Sequence, residues 1–264
     1  HGSMALLADA GHNLSDVAGL LIAWGALALA RRAPSPRFTW GLSRSPILAA
    51  LANALILVAA CGGIAFESLH RLADPQPVSG DLVMIVAGIG ILINTGTALL
   101  FARGRKGDVN IRGAYLHMMA DAAVSAGVVA GGLLIRLTGW DMVDPLLGLA
   151  IAGLVLRATW GLLTESLALA LDAVPAGIEP AAVAHWLGGL EGVSAVHDLH
   201  IWPQGTTGAI LTAHLVMPAG HPGDAALADI AHALHHRFGI GHATLQVERD
   251  ADHCRQAIAE GCTG

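Results

Sequence analysis

Five apolar runs, at about residues 4–30, 46–69, 81–102, 113–135 and 144–164, constrain this chain more than any other feature. Each reaches the ~20 residues that a helix needs to cross a bilayer. Inside hydrocarbon the backbone must satisfy its own hydrogen bonds, so such runs form helices. The balance of residues agrees: 54% are hydrophobic and 13% charged, against about 25% charged in soluble domains, and the mean hydropathy is +0.61. Basic residues orient the spans. Arg31, Arg32, Arg37 and Arg44 fill the first connection and Arg103, Arg105, Lys106 and Arg112 the third, whereas the second carries only Arg71 and the fourth only Arg136. The positive-inside rule places the first and third connections in the cytoplasm, so everything after the fifth span is cytosolic.

Nucleic acid drops out as a partner, and a disulfide framework as a scaffold. A formal charge of −6 and a single lysine, Lys106, leave no basic stripe for nucleic acid. Cys61, Cys254 and Cys262 are too few and scattered for a disulfide framework, as expected where the soluble part faces a reducing compartment. No signal peptide is expected ahead of the first span, and His1-Gly2-Ser3-Met4 reads either as a cloning scar or as the point where an upstream segment has been lost.

Two of the runs carry the same polar pattern, His12-Asn13-Leu14-Ser15-Asp16 and His117-Met118-Met119-Ala120-Asp121. On a helix, residues four apart share a face, so each run presents one imidazole beside one carboxylate. A charge at the bilayer centre costs at least about 2.5–3.5 kcal/mol, so such groups face the bundle interior and mark an ion or proton path. Facing each other, the two pairs offer two nitrogens and two oxygens, a tetrahedral set suited to Zn²⁺, with the carboxylates cancelling its charge. The plainer alternative is two independently satisfied polar pairs; a third such spacing, His70 to Asp74, lies in a polar stretch and carries no weight. Asp9, one turn before His12, is a second carboxylate that either supports the ligands or marks a boundary. Gly62, Gly63, Gly88, Gly90, Gly127, Gly131 and Gly132 are expected to let helices approach closely, and Asn53, Asn94 and Thr95 to form interhelical hydrogen bonds.

From about Ala173 polar and apolar residues mix. Residues 178–190 and 222–238 read as helices, and 193–202, 209–217 and 243–249 as strands, with a hairpin turn at 203–208. That α-β-β-α-β order fits a small α+β sandwich with its helices on one face of the sheet. The chain divides into a transmembrane domain over 1–172, a cytoplasmic domain over 173–250 and a loosely ordered tail over 251–264. Histidines crowd the soluble part. His197 and His214 fall on strands expected to pair, and Glu248 on the last strand completes a candidate metal trio. His232, His235 and His236 share a helical face but have no carboxylate or Cys at ligand spacing, which makes them the weaker metal candidate.

The residues from Ser3 to Asp16, Arg37-Phe38-Thr39-Trp40-Gly41 with Arg44, Asn110 through Asp121, Asp144-Pro145 and His197-Asp198-Leu199-His200-Ile201-Trp202 together resemble the cation diffusion facilitators, in particular the bacterial zinc exporters. The resemblance implies an α-helical membrane bundle followed by a cytoplasmic ferredoxin-like domain. It also implies a homodimer that exchanges a divalent metal for protons in the bacterial cytoplasmic membrane. Family members have six membrane helices; the match begins at the second, so the first is missing from these five spans. His12, Asp16, His117 and Asp121 match the family's transport site. His197, His214 and Glu248 resemble metal-binding positions at the dimer interface of several relatives, with Gln246 where some have another His. Residues 31–44 contain neither His nor Asp, so the family's optional loop site is expected to be absent, as is the histidine-rich loop some relatives place before the fifth family helix.

The expected function is Zn²⁺ export by alternating access, with Cd²⁺ or Co²⁺ as further passengers. Ligands must be deprotonated to hold metal, and imidazole, with an ordinary pKa of about 6.5, is suited to exchanging metal for protons. The rival readings are an intramembrane zinc metalloenzyme and a membrane zinc sensor without transport. No His-Glu-x-x-His motif is present, and four protein ligands leave no open position for hydrolysis, so an enzyme is not expected.

Overall fold

The computed structural model describes residues 2–102, 109–206 and 208–250, without side-chain detail for 109–114. The third connection's Arg103, Arg105 and Lys106, and the tail from 251 with His253, Cys254 and Cys262, lie outside the described residues.

Among the described residues, five helices are long and apolar enough to cross a membrane. They are α1 (Met4–Ala30), α2 (Ser45–Ala73), α3 (Gly80–Phe101), α4 (Val109–Thr138) and α5 (Val143–Ala170). Several outrun the apolar runs that announce them. Helix α2 continues through His70 and Arg71, stabilised by an Arg71 Nε to Glu67 Oε1 ion pair of 2.9 Å, and stops short of Pro75. Proline disfavours helical conformation in the residue before it. Polar end-turns of this kind are invisible to an apolar-run reading.

The chain packs as two compact units, one of residues up to Ile22 with Ala52–Leu163, the other of Ala23–Leu51 with the described residues from Thr164 onward. In the first, Ala5, Ala8, Leu57, Cys61, Val83, Ala87, Val128 and Ile151 share one core. Small residues allow the closest approach there: a Cβ on Gly80 would collide with the Gly132 carbonyl, which seats α3 directly against α4. Gly90, Gly131 and Gly132 likewise press on neighbours, as expected. Gly62, Gly63, Gly88 and Gly127 do not, since a Cβ there would meet nothing within 4 Å. Composition marks a span as glycine-rich, but helical phase decides which glycines face a neighbour. The start of α1 is tied to α5: fully buried Asp144 accepts from the Ser3 hydroxyl and from the backbone N–H of Met4 and of Ala5, at 2.5 and 3.3 Å for the two amides. A carboxylate at unsatisfied helix N–H groups is favourable by charge and by hydrogen bonding.

The second unit contains α6 (Pro180–Gly188), β1 (Ala195–Pro203), β2 (Ala209–Val216), α7 (Asp224–Phe238) and β3 (Ile240–Glu248), the expected α-β-β-α-β order. The strands lie in the order β1-β2-β3, antiparallel across β1 and β2 and parallel across β2 and β3. Strand alternation puts Leu211, Ala213 and Leu215 on the face that packs with Val183, Leu187 and Leu234 of the two helices. The other face carries His197, His214, Gln246 and Glu248. Strand β3 begins three residues before the expected Ala243, because Gly239 in the left-handed region (φ 71°) closes α7 and turns straight into Ile240. Only glycine adopts that conformation without cost.

Candidate functional site

Helix α1 presents Asp9, His12 and Asp16 on one face, and α4 presents His117, Asp121 and Ser125 at four-residue intervals on one of its own. The two faces meet. His12 Nε2 lies 3.6 Å from Asp16 Oδ2 on its own helix and 3.5 Å from Asp121 Oδ1 across the interface. His117 Nε2 lies 3.2 Å from Asp16 Oδ2 and 3.7 Å from Asp121 Oδ2. Each imidazole therefore touches both carboxylates, and each carboxylate both imidazoles.

Zinc–ligand bonds of about 2.0–2.1 Å in a tetrahedron place neighbouring donors about 3.3–3.4 Å apart. The four His–Asp separations bracket that value, with Asp121 meeting His12 through Oδ1 and His117 through Oδ2. His12, Asp16 and Asp121 offer donor atoms within 4.8 Å of one another, and His117 stands just outside that trio. His117 is the outermost of the four: its side chain is 49% exposed, against 18% for His12, 26% for Asp16 and 4% for Asp121. The two rings stand edge to face, 6.2 Å between centroids. Asp121 Oδ2 and His12 Nδ1 are buried without a hydrogen-bond partner among the described residues. A buried carboxylate oxygen with no donor is costly, and a cation held by the four side chains would satisfy it.

Asp9 is not among the converging donors. It is buried, and both its oxygens accept from the Ser125 hydroxyl, at 3.1 and 2.9 Å, one turn beyond Asp121 on α4. Helix α3 seals the pair, since a Cβ on Gly90 would sit 3.2 Å from Ser125 Oγ. Asn94 of α3 donates to Asn13 Oδ1 across 3.4 Å, the interhelical bond expected of Asn94. Ser125 escaped sequence reasoning, although His117, Asp121 and Ser125 continue one i, i+4 row and that row is the signal that finds it.

The sheet face of the second unit holds a second cluster. His197 and His214 are opposite one another in the β1–β2 register, with rings 5.1 Å apart, and Gln246 flanks His214 on β3. Glu248 reaches both imidazoles, with Oε2 2.9 Å from His197 Nε2 and Oε1 3.1 Å from His214 Nδ1. The three could hold a metal ion. Gln246 donates to Glu248 Oε1 at 2.7 Å and so orients the carboxylate. Asp198 and His200 also join the group, because a β-bulge between His197 and His200 sets Asp198 at φ 50° with its carboxylate between His200 (3.1 Å) and His214 (3.3 Å). A bulge of this kind re-aims side chains that simple alternation assigns elsewhere. On α7, His232 and His236 come together, with Nε2 atoms 3.1 Å apart.

Residues 1–171 match the cation efflux transmembrane domain, and residues 175–250 the cytoplasmic domain of cation efflux proteins. The zinc transporter ZitB of Pectobacterium atrosepticum is 37% identical over 258 residues, covering 96% of this chain and 80% of that protein. The metal cation efflux system protein CzcD of Cupriavidus metallidurans is also 37% identical, over 97% of this chain and 81% of its own length. A cadmium, cobalt and zinc/H⁺-K⁺ antiporter of Bacillus subtilis is 34% identical over 261 residues, 97% of this chain and 84% of its own. Matches of this extent, over both the membrane helices and the soluble domain, establish that the chain belongs to the cation efflux, or cation diffusion facilitator, family: it is a multi-pass membrane transporter with a cytoplasmic C-terminal domain, not an enzyme.

Proposed function

We propose that this transporter moves Zn²⁺ out of the cytosol in exchange for protons, with His12, Asp16, His117 and Asp121 as the transport site. The observation that carries the reading is the mutual contact of these four side chains across α1 and α4 at separations of 3.2–3.7 Å. Two imidazoles with two carboxylates suit zinc, and Co²⁺ and Cd²⁺ share enough of its ligand chemistry to pass; an all-oxygen set would suit Mn²⁺ or Mg²⁺. The relatives named as zinc transporters, and the one named as an antiporter of cadmium, cobalt and zinc, support the same cargo.

Coupling follows from the ligands themselves. Metal binds deprotonated side chains, so loading on the cytosolic side expels protons, and protons returning from outside displace the metal. The same four groups serve both cargoes in turn, and Asp9, held by Ser125 one turn away, fixes the facing of the two helices rather than binding cargo. Alternating access opens such a midplane site to one side and then the other. The chain acts as a homodimer in the bacterial cytoplasmic membrane, with His197, His214 and Glu248 as a cytosolic metal site.

Proteoliposomes under an imposed pH gradient test this directly. Zinc flux is expected to follow the gradient and to stop when it is collapsed with an ionophore. A protein that binds zinc without gradient-driven flux would be a sensor and would end the transport reading.

A further inference from the structure

We infer that His232 and His236 form an exposed chelate for a divalent transition-metal cation on the solvent face of α7, a site that shares no residue with the two clusters above. Leu234 turns the opposite face of the helix into the core, which leaves His232, His235 and His236 in solvent. His232 and His236 are one turn apart, their rings are 4.3 Å between centroids, and their Nε2 atoms converge to 3.1 Å.

That separation is what a shared metal requires. Two metal–nitrogen bonds of about 2.0–2.1 Å meeting at roughly 95–100° put the nitrogens the same distance apart. Without metal, one Nε2–H donates to the other Nε2, and a cation replaces that single proton with little movement of either ring. The cost of ordering both side chains is then small, which favours binding. Helix spacing alone makes the pair a bidentate unit, the same i, i+4 arrangement that places two zinc ligands on helical His-x-x-x-His motifs. The pair also sits in the last two turns of α7, where the helix dipole and the terminal carbonyls favour positive charge.

The chemistry narrows the ligand. Two neutral imidazoles with no thiolate and no carboxylate in the pair select Cu²⁺, Ni²⁺ and Zn²⁺ over Ca²⁺ and Mg²⁺, with Cu²⁺ held tightest of the first-row divalent ions. Water fills the remaining positions, so the site loads and unloads with free metal and is unlike the closed four-ligand cluster of the membrane helices. His235, its ring 5.2 Å from that of His236 and edge-on to it, shares the face but stands outside the pair.

The test uses the full chain in detergent and Cu²⁺ alone, read by equilibrium dialysis and by the nitrogen hyperfine pattern of the copper EPR spectrum. Wild-type protein is expected to bind one more Cu²⁺ per chain than the double variant His232→Ala/His236→Ala. Either single variant should weaken that increment by about tenfold or more, because a two-point attachment becomes a one-point one. His235→Ala, a control of the same exposure and chemistry, should leave it in place. Equal copper stoichiometry in wild type and double variant would reduce the pair to a hydrogen bond between two rings and overturn the inference, as would a loss in His235→Ala as large as in His232→Ala. Neither readout depends on transport, so failure here leaves the membrane site untouched, and failure of zinc flux leaves this site standing.

Discussion

The two histidine–carboxylate clusters use the same side chains on opposite kinds of support. In the membrane unit the donors come from two helices, and half of the contacts, His12 with Asp121 and His117 with Asp16, cross an interface held by side-chain packing. In the cytoplasmic domain His197, His214 and Glu248 stand on three strands whose separations are set by backbone hydrogen bonds. Packed helices slide and tilt past one another as rigid bodies, so the first cluster can be opened by a small shift of α1 against α4. A sheet ladder cannot change its spacing without breaking. Under the proposed function, the same side chains therefore suit release in one place and retention in the other.

The sharpest way to break this contrast is at Asp121, the most buried side chain of the helix cluster. Asp121→Ala is expected to lower zinc uptake into inside-out vesicles by more than about 100-fold, beyond the 10–100-fold typical of losing a group that merely supports a ligand. Unchanged uptake would remove the membrane cluster from the transport path. A subtler change tests the donor set instead: His12→Asp replaces a nitrogen by an oxygen and should raise Mn²⁺ flux relative to Zn²⁺. Flux ratios measured in parallel liposomes decide it, and a ratio that does not move would mean that the imidazole contributes nothing to selectivity.

The support beneath the helix cluster has its own signature. Ser125→Ala strips the buried Asp9 carboxylate of the hydroxyl that serves both its oxygens, a loss expected to cost about 1–3 kcal/mol. Thermal unfolding in detergent should show a lowered midpoint, and an unchanged one would mean that the hydroxyl does not support Asp9. The smallest effect on transport is expected from the sheet. Glu248→Gln should reduce vesicle flux by less than about fivefold, the lower end of ordinary coupling between distant sites. Zinc is expected to raise the unfolding temperature of the wild type through this cluster, and Glu248→Gln should abolish that rise. A flux loss in Glu248→Gln as deep as in Asp121→Ala would show that the sheet cluster does more than retain metal.

Much of this was legible in the residues alone, and for identifiable reasons. Apolar runs long enough to span a bilayer admit only helices, so the five spans followed from length and hydropathy. The i, i+4 spacing of His12 with Asp16 and of His117 with Asp121 follows from helical geometry, so each pair was readable within its own helix. Strand-like stretches likewise placed His197 and His214 on a pair of strands and Glu248 on the last one, while the β1-β2-β3 order that joins all three on one face came from the folded sheet.

What only the tertiary structure decided are relations between segments distant in sequence. The crosswise contacts of the two membrane pairs depend on the rotation of α1 about its axis relative to α4, and no periodicity within either helix encodes that angle. The Asp9–Ser125 bond and the Asp144 cap on the start of α1 join residues more than a hundred positions apart. Asp198 reaches His214 through a bulge that breaks alternation. Local pattern specifies which way a side chain points from its own element, because backbone geometry repeats with a fixed period. Which partner it meets depends on packing, which is summed over the whole molecule.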